Sequence, residues 1–478
     1  MTARRGGSIK KMVMRKFFSA LALAAAMLAG CGRPAEAPVT LGMPGPLPAA
    51  EQRSGDPALG YEILVNRGYV SCGVPLDAYL AAGDARAPDP GLPGRLGRNA
   101  ELPYDLNATV DANGVELVVS NCLACHGGRF DDALVVGLGN AFADFSRDPV
   151  PAVESFGLLV EDGAPAVAWR RWADRIAAIA PYMVTDTVGV NPAPNLTMAL
   201  MAHRDPRSLR WHEEPQLAPP AREPLPTAVP PWWRMQKKHA MFYHGGGQGD
   251  HVPYMMLKSL VCTDDLEEAR TIDDWFTHVR AFIATLQPPR WPYAVDASLA
   301  AAGEAVFEQH CAACHGTYGE DWTYPNLVVP LEQVGTDPAY ALQAVEAERF
   351  IRWFNASFYG RGAEARPARG YVAPPLDAVW ATAPYLHNDS VPSIAALLDS
   401  RLRPTFWRHQ TEPREYDAAA LGWRYEALEH GKDGAADGEA ARRIYDTTRH
   451  GYGNGGHLFG DALGEDERRA LLEYLKTL

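Results

Sequence analysis

The sequence predicts a mainly α fold of two domains in tandem, with long loops and few short strands. Three observations carry that prediction. The pattern C-x-x-C-H occurs twice, at Cys122 to His126 and at Cys311 to His315, each time followed by glycine. Apolar residues at helical spacing precede each copy, and an amphipathic stretch closes each unit. A proline-rich run, "LQPPRWPY" from Leu286 to Tyr293, separates the two units. The expected divisions are residues 1–30, 31–55, 56–290 and 291–478.

A length of 478 residues suits two domains plus extensions. With 47% hydrophobic and 22% charged residues the chain is globular rather than disordered. The first 30 residues hold six Lys or Arg and no acid. "MRKFFSALALAAAMLAGC" has a basic start at Arg15 and Lys16, a short apolar run from Phe17 to Leu28, and small residues before a cysteine, which is the pattern of an export signal. The apolar run is too short to cross a bilayer comfortably. Leu28-Ala29-Gly30-Cys31 resembles a bacterial lipobox. Residues 1–30 are therefore expected to be a lipoprotein signal peptide, Cys31 a lipid anchor, and residues 31–55 a tether. The body would then lie in the periplasm or at the outer surface of a bacterial envelope. Beyond residue 30 the chain keeps 39 basic against 58 acidic residues, a formal charge of −19. That surface repels phosphate backbones and anionic lipid heads, which excludes nucleic acid as a partner and leaves membrane contact to Cys31 alone.

The elements follow in order. "GVELVVSNCLACHGG" starts at Gly114 and "GEAVFEQHCAACHGT" at Gly303, each glycine eight residues before its first cysteine. Leu117 and Val118 in one, and Val306 and Phe307 in the other, predict a helix with an apolar face in both. The small residue would allow close approach to a second helix. Asp296 is the expected N-cap of the later helix. "TIDDWFTHVRAFIATL" places Trp275, Val279, Phe282, Ile283 and Leu286 on one stripe, and "GEDERRALLEYLKTL" does the same with Leu471, Leu472, Leu475 and Leu478.

The repeated motif carries the chemistry. Haem c attachment needs two thiols that reach the two vinyl groups of one porphyrin, and an imidazole immediately after them to ligate iron. Zinc would need four ligands, and a thioredoxin-like pair has no use for the histidine. The expected cofactors are two covalently bound haem c groups. Cys122 and Cys125 would hold one and Cys311 and Cys314 the other, with His126 and His315 as proximal ligands. The plan resembles the cytochrome c fold, so the domains are expected to be two cytochrome c-like haem domains, the first with an extension.

The far face of each iron sets what it can do. A second strong ligand favours electron transfer, and an open face permits oxygen or peroxide chemistry. Met256 is the last methionine, so the second domain offers no sulfur ligand of that type. The second haem is therefore expected to be bis-histidine, with His457 the first candidate and His387 the second among His310, His387, His409, His430, His450 and His457. For the first haem the candidates are His203, His212, His239, His244, His251, Met183, Met198 and Met201. "VPPWWRMQKKHAMFYHGGGQGDHVPYMM" gathers Trp232, Trp233, Phe242 and Tyr243 among glycines and histidines, a candidate haem pocket or electron bridge. Cys72 and Cys262 remain, either as a disulfide, which export permits, or as two buried thiols.

"GYVAPPLDAVWATAPYLHNDSVPSIAALL" from Gly370, "PPWWRMQKKHAMFY" from Pro230 and the "GHLFG…LLEYLKTL" ending resemble the rubber oxygenase group of di-haem c-type cytochromes. That group is related to the bacterial di-haem cytochrome c peroxidases and to the di-haem enzyme that matures tryptophan tryptophylquinone. The resemblance implies a reactive haem on His126 that binds dioxygen or peroxide, and an electron-storing haem held by His315 and His457. It implies a tryptophan between them, Trp232 or Trp233, and as partner a redox protein or a small-molecule oxidant. The family's phenylalanine near bound oxygen has no match in "GGGQGDHVPY", where His251 is a candidate ligand of the first iron that would close the site. Rubber cleavage itself is not implied, because a lipid-anchored and shorter chain would meet insoluble polymer poorly.

Overall fold

Two helix pairs carry the architecture of the computed structural model, which describes residues 38–83, 92–409 and 415–478. The expected export signal, the expected lipid anchor Cys31 and the first part of the expected tether lie outside the described residues, as does the side chain of His409. Helix α1 (Pro57–Asn66) starts at Asp56, whose carboxylate accepts hydrogen bonds from the backbone N–H groups of Ala58 and Leu59. It packs on α2 (Leu266–Ile283), capped in the same way by Asp265. The second pair is α3 (Ala297–His310), capped by Asp296 as expected, and α4 (Glu465–Leu475). Ile63, Leu64 and Val65 of α1 share a buried cluster with Val279 and Ile283 of α2. Phe307 of α3 does the same with Leu471, Tyr474 and Leu475 of α4.

Each pair closes on a glycine. A β-carbon at Gly60 would run into the backbone carbonyl of His278, and one at Gly303 into that of Ala470. Gly303→Ala is expected to destabilise the fold by about 1–3 kcal/mol, the usual cost of overpacking. A lowered urea midpoint would report it, and an unmoved midpoint would contradict the close helix contact.

The first unit departs from the expected plan. The segment after Gly114 is not a helix. After a first short strand β1 (Gly45–Pro46), β2 (Val74–Pro75), β3 (Leu106–Val110) and β4 (Glu116–Ser120) form an antiparallel sheet in the order β2-β4-β3, with Leu117, Val118 and Val119 buried. The β-branched pair Val118-Val119 suits a strand. Asp111 fixes the turn before it by accepting from the N–H groups of Asn113 and Val115, and Gly114 supplies the left-handed backbone with φ of 80°. Gly114 is thus a hairpin glycine. The counterpart of Gly303 is Gly60, which precedes its cysteine by 62 positions rather than eight.

Two other expectations change. The second half of the tether is part of the body: Gly45–Pro46 pairs antiparallel with Leu327–Pro330, Leu47 is buried, and Arg53 makes ion pairs with Asp250 and Asp273, both at 2.6 Å. Residues 41–478 also form one compact unit, so the expected boundary at 290/291 separates no two bodies. Helix Glu348–Ala356 explains why. It sends Phe350, Trp353 and Phe354 into the core of Met256, Leu260 and Phe276, and Phe354 stacks on Tyr254 at 4.8 Å. Cys72 and Cys262 are joined in a disulfide across 190 positions, both buried. Among the described residues no helix is long and apolar enough to cross a membrane.

Candidate functional site

The second motif sits at the end of α3. Cys311 caps that helix, and Ala312–His315 continues as one short turn. His315 Nδ1 lies 2.8 Å from the Pro374 carbonyl. A carbonyl only accepts, so Nδ1 carries the proton and Nε2 keeps its lone pair for a metal. The ring of His457 faces that of His315 at 6.2 Å between centroids. An iron held between two imidazole nitrogens at roughly 2.0–2.1 Å each, as in other metal–imidazole bonds, requires centroids roughly 6.3 Å apart. Burial pushes His457 down to about 4, with the neighbouring His315 adding to the effect. Burial also lowers His315, assisted by the charge of Arg234. Both rings are therefore neutral, the form that ligates metals.

A cavity of about 270 Å³ opens between these rings, and Cys311, Cys314, His315 and His457 all line it. The residues present fit a porphyrin: Cys311 and Cys314 would carry it, and His315 and His457 would ligate its iron. His457 is presented by a glycine-rich loop. Arg403 ties that loop down, donating from Nη1 to the carbonyls of Asn454 and Gly456 at 2.7 Å each. His387 also borders the cavity, but its ring lies flat on Tyr371 at 4.0 Å, with Tyr340 and Tyr243 beyond it.

The first motif follows β4 directly and turns through Leu123–His126. Burial pushes His126 down to about 3; the Pro230 carbonyl opposes this weakly but falls outside hydrogen-bond geometry with Nδ1. The His126 ring stacks on Trp232 at 4.7 Å. Burial raises both thiols, while Lys258 acts to lower them. His251 is buried, with neither ring nitrogen hydrogen-bonded. Burial, with help from Arg280 and Lys238, pushes it down to about 4. Three other expected candidates have structural tasks. His203 stacks on Trp211 and bonds the His212 carbonyl. His239 bonds the Leu47 carbonyl, and His244 accepts from the Gly246 N–H. Met241 and Met255, which the sequence reading passed over, pack in the same apolar clusters as Cys122.

The two tryptophans do different things. Trp232 belongs to the cluster around α1 and α2, and Trp233 to the cluster around α3 and α4. Trp233 Nε1 donates to the Asp377 carbonyl at 2.9 Å. Asp377 lies three residues after Pro374, the hydrogen-bond partner of His315. A continuous connection therefore runs from His126 by ring stacking to Trp232, through one peptide to Trp233, by hydrogen bond to Asp377, and along the chain to Pro374 and His315. A proline pair marks both ends of it, Pro230-Pro231 beside His126 and Pro374-Pro375 beside His315. That repeat is legible in the sequence.

Paired thiols followed by a half-buried histidine whose pKa is lowered, beside a cavity with a second imidazole, fit a c-type cytochrome site. Residues 370–408 match the family described as RoxA-like, cytochrome c-like. The matched segment contains Pro374, Asp377, His387 and Arg403, so it forms one wall of the second cavity. It supports haem c binding and a cytochrome-type redox role. Two proteins of Sinorhizobium fredii (strain NBRC 101917 / NGR234) are similar. Uncharacterized protein y4iJ is 34% identical over 261 residues, covering 40% of this chain and 41% of its own. Uncharacterized protein y4iM is 31% identical over 244 residues, covering 42% of this chain and 53% of its own. The chain thus spans about two fifths and about half of the length of these curated relatives.

Proposed function

We propose that the protein is an exported di-haem c-type cytochrome of two cytochrome c-like domains, an oxidoreductase of the di-haem peroxidase and rubber oxygenase type. Haem c supplies one-electron chemistry and, where a face is open, binding of dioxygen or peroxide. In this reading Cys122, Cys125 and His126 hold the reactive group. Cys311, Cys314, His315 and His457 hold the electron-storing one. The observation that supports it is the connection from His126 through Trp232 and Trp233 to His315, which would link the two proposed metal sites through protein. Trp232 holds the His126 ring in place, Pro374 fixes the proton on His315 Nδ1, and the apolar walls exclude water. The partner is a redox protein or a small-molecule oxidant. The buried disulfide supports an oxidising compartment and with it the lipid-anchored location.

A second reading is an electron carrier with both irons six-coordinate. His251 favours it, because a buried imidazole with two free nitrogens is an available ligand. Electron paramagnetic resonance of the oxidised and half-reduced protein separates the two. One high-spin and one low-spin ferric signal, with a spectral response to cyanide or hydrogen peroxide, is expected of the enzyme. Two low-spin signals and no response in either state would support the carrier. A whole-protein mass short of two porphyrins would remove both.

A further inference from the structure

Among the described residues lining the second cavity the only carboxylate is Asp389, and burial pushes it well above the ordinary carboxylate range. The same cavity is lined by two cations, Arg234 and Lys238, on the segment that follows the tryptophan pair. Arg234 is buried at 6% exposure. Its Nε donates to the Asp377 carbonyl at 3.0 Å, and its Nη2 is buried with no hydrogen-bond partner. Lys237, between the two, gives its charge to Asp377 Oδ1 at 2.7 Å. Of these three cations Lys237 alone has an ion-pair partner among the described residues, so Arg234 and Lys238 stand as two unpaired cations beside a largely apolar cavity. Uncompensated buried charge is costly, so a site built this way calls for anions to enter it.

We propose that Arg234 and Lys238 form the recognition site for the two rim carboxylates of the second porphyrin, and that their charge raises the reduction potential of that group. The proposal rests on the reading that haem occupies this cavity. Its chemistry follows from the count: a haem brings two carboxylates, and the site has two cations to spare. Arg234 presents a planar guanidinium suited to carboxylate, and Lys238 presents a point charge. The pair also accounts for an otherwise isolated feature, the buried and unpaired Nη2 of Arg234 in the wall of this cavity. The effect on potential has a fixed sign. Reduction adds an electron, which nearby positive charge favours, so removing that charge makes reduction harder.

The test uses the full exported protein. Arg234→Gln and Lys238→Met are compared with the wild type by whole-protein mass, by spin state and by spectroelectrochemical titration of the low-spin haem. Both variants are expected to keep two porphyrins and the low-spin signal. In each, the reduction equilibrium of that haem should fall tenfold or more, which is 59 mV for one electron. Arg234→Lys, which keeps the charge, should recover most of the difference. Variants that carry both haems with the equilibrium within threefold of wild type would overturn the proposal. Should Arg234→Gln fail to fold, Lys238→Met carries the same decision. Wild-type protein with no porphyrin on Cys311 and Cys314 would instead sink the functional reading beneath it.

Discussion

His457→Gly is expected to convert the low-spin haem to a high-spin, ligand-binding state while leaving the fold as stable as before, or more so. Two properties of one residue lie behind this. The ring faces His315 at the spacing a shared iron requires. Its backbone is held at φ of 48°, a left-handed conformation that costs a non-glycine residue about 1–2 kcal/mol. Glycine removes the ligand and relieves the backbone at the same time. The loop keeps its shape because Arg403 holds it through carbonyls, which the substitution does not touch. His457→Ala should give the same spectrum without the gain in stability. His387→Ala is the control. It strips a ring from Tyr371 and should cost stability through the lost stacking, with the low-spin signal intact. Absorption and paramagnetic resonance spectra, read beside thermal melts, check all three. A low-spin signal that survives His457→Gly and vanishes in His387→Ala would exchange the roles of the two residues.

Breaking the Cys72–Cys262 disulfide should produce the largest loss of stability of any change proposed. Replacing both cysteines by serine is expected to cost about 2–5 kcal/mol, the range for native bridges. The bridge spans 190 positions, and long closures restrict the unfolded chain most. It also holds an anchor. The Cys262 carbonyl accepts from Arg171 at 2.7 Å and from Arg175 at 3.2 Å. Asp264, two residues on, pairs with Arg171, Arg175 and the fully buried Arg204. Loosening that segment disturbs three guanidinium groups at once. Urea unfolding of the double variant, and of wild type with and without reductant, reads the effect. Equal midpoints in all cases would mean that the bridge contributes nothing.

What the sequence made legible was local chemistry. Two thiols and an imidazole on one turn, Asp296 ahead of a helix, and leucines in a stripe near the chain end all announce themselves without knowledge of the fold. Sequence reasoning failed where partners are distant. Gly114 looked like the counterpart of Gly303 because both stand eight residues before a cysteine. The real counterpart, Gly60, was hidden by a sheet placed between the first helix and its motif. Val118 and Val119 carried the warning, since a β-branched pair after a "DANG" turn suits a hairpin better than a helix. The different duties of Trp232 and Trp233, the Asp377 carbonyl between two sites, and the excess charge of Arg234 and Lys238 exist only once α2, α3 and the 370–408 segment have come together.

The split of those two tryptophans also limits how the molecule can move. Adjacent in the chain, they are buried in separate clusters, one on each helix pair, so they act as a rivet through the seam. Neither half can swing or slide without dragging a large aromatic ring out of its socket. Hinge closure along this seam would have to pull one of those rings out of its cluster. The rivet also ties the position of the His126 ring, on which Trp232 stacks, to the Asp377 segment that Trp233 holds.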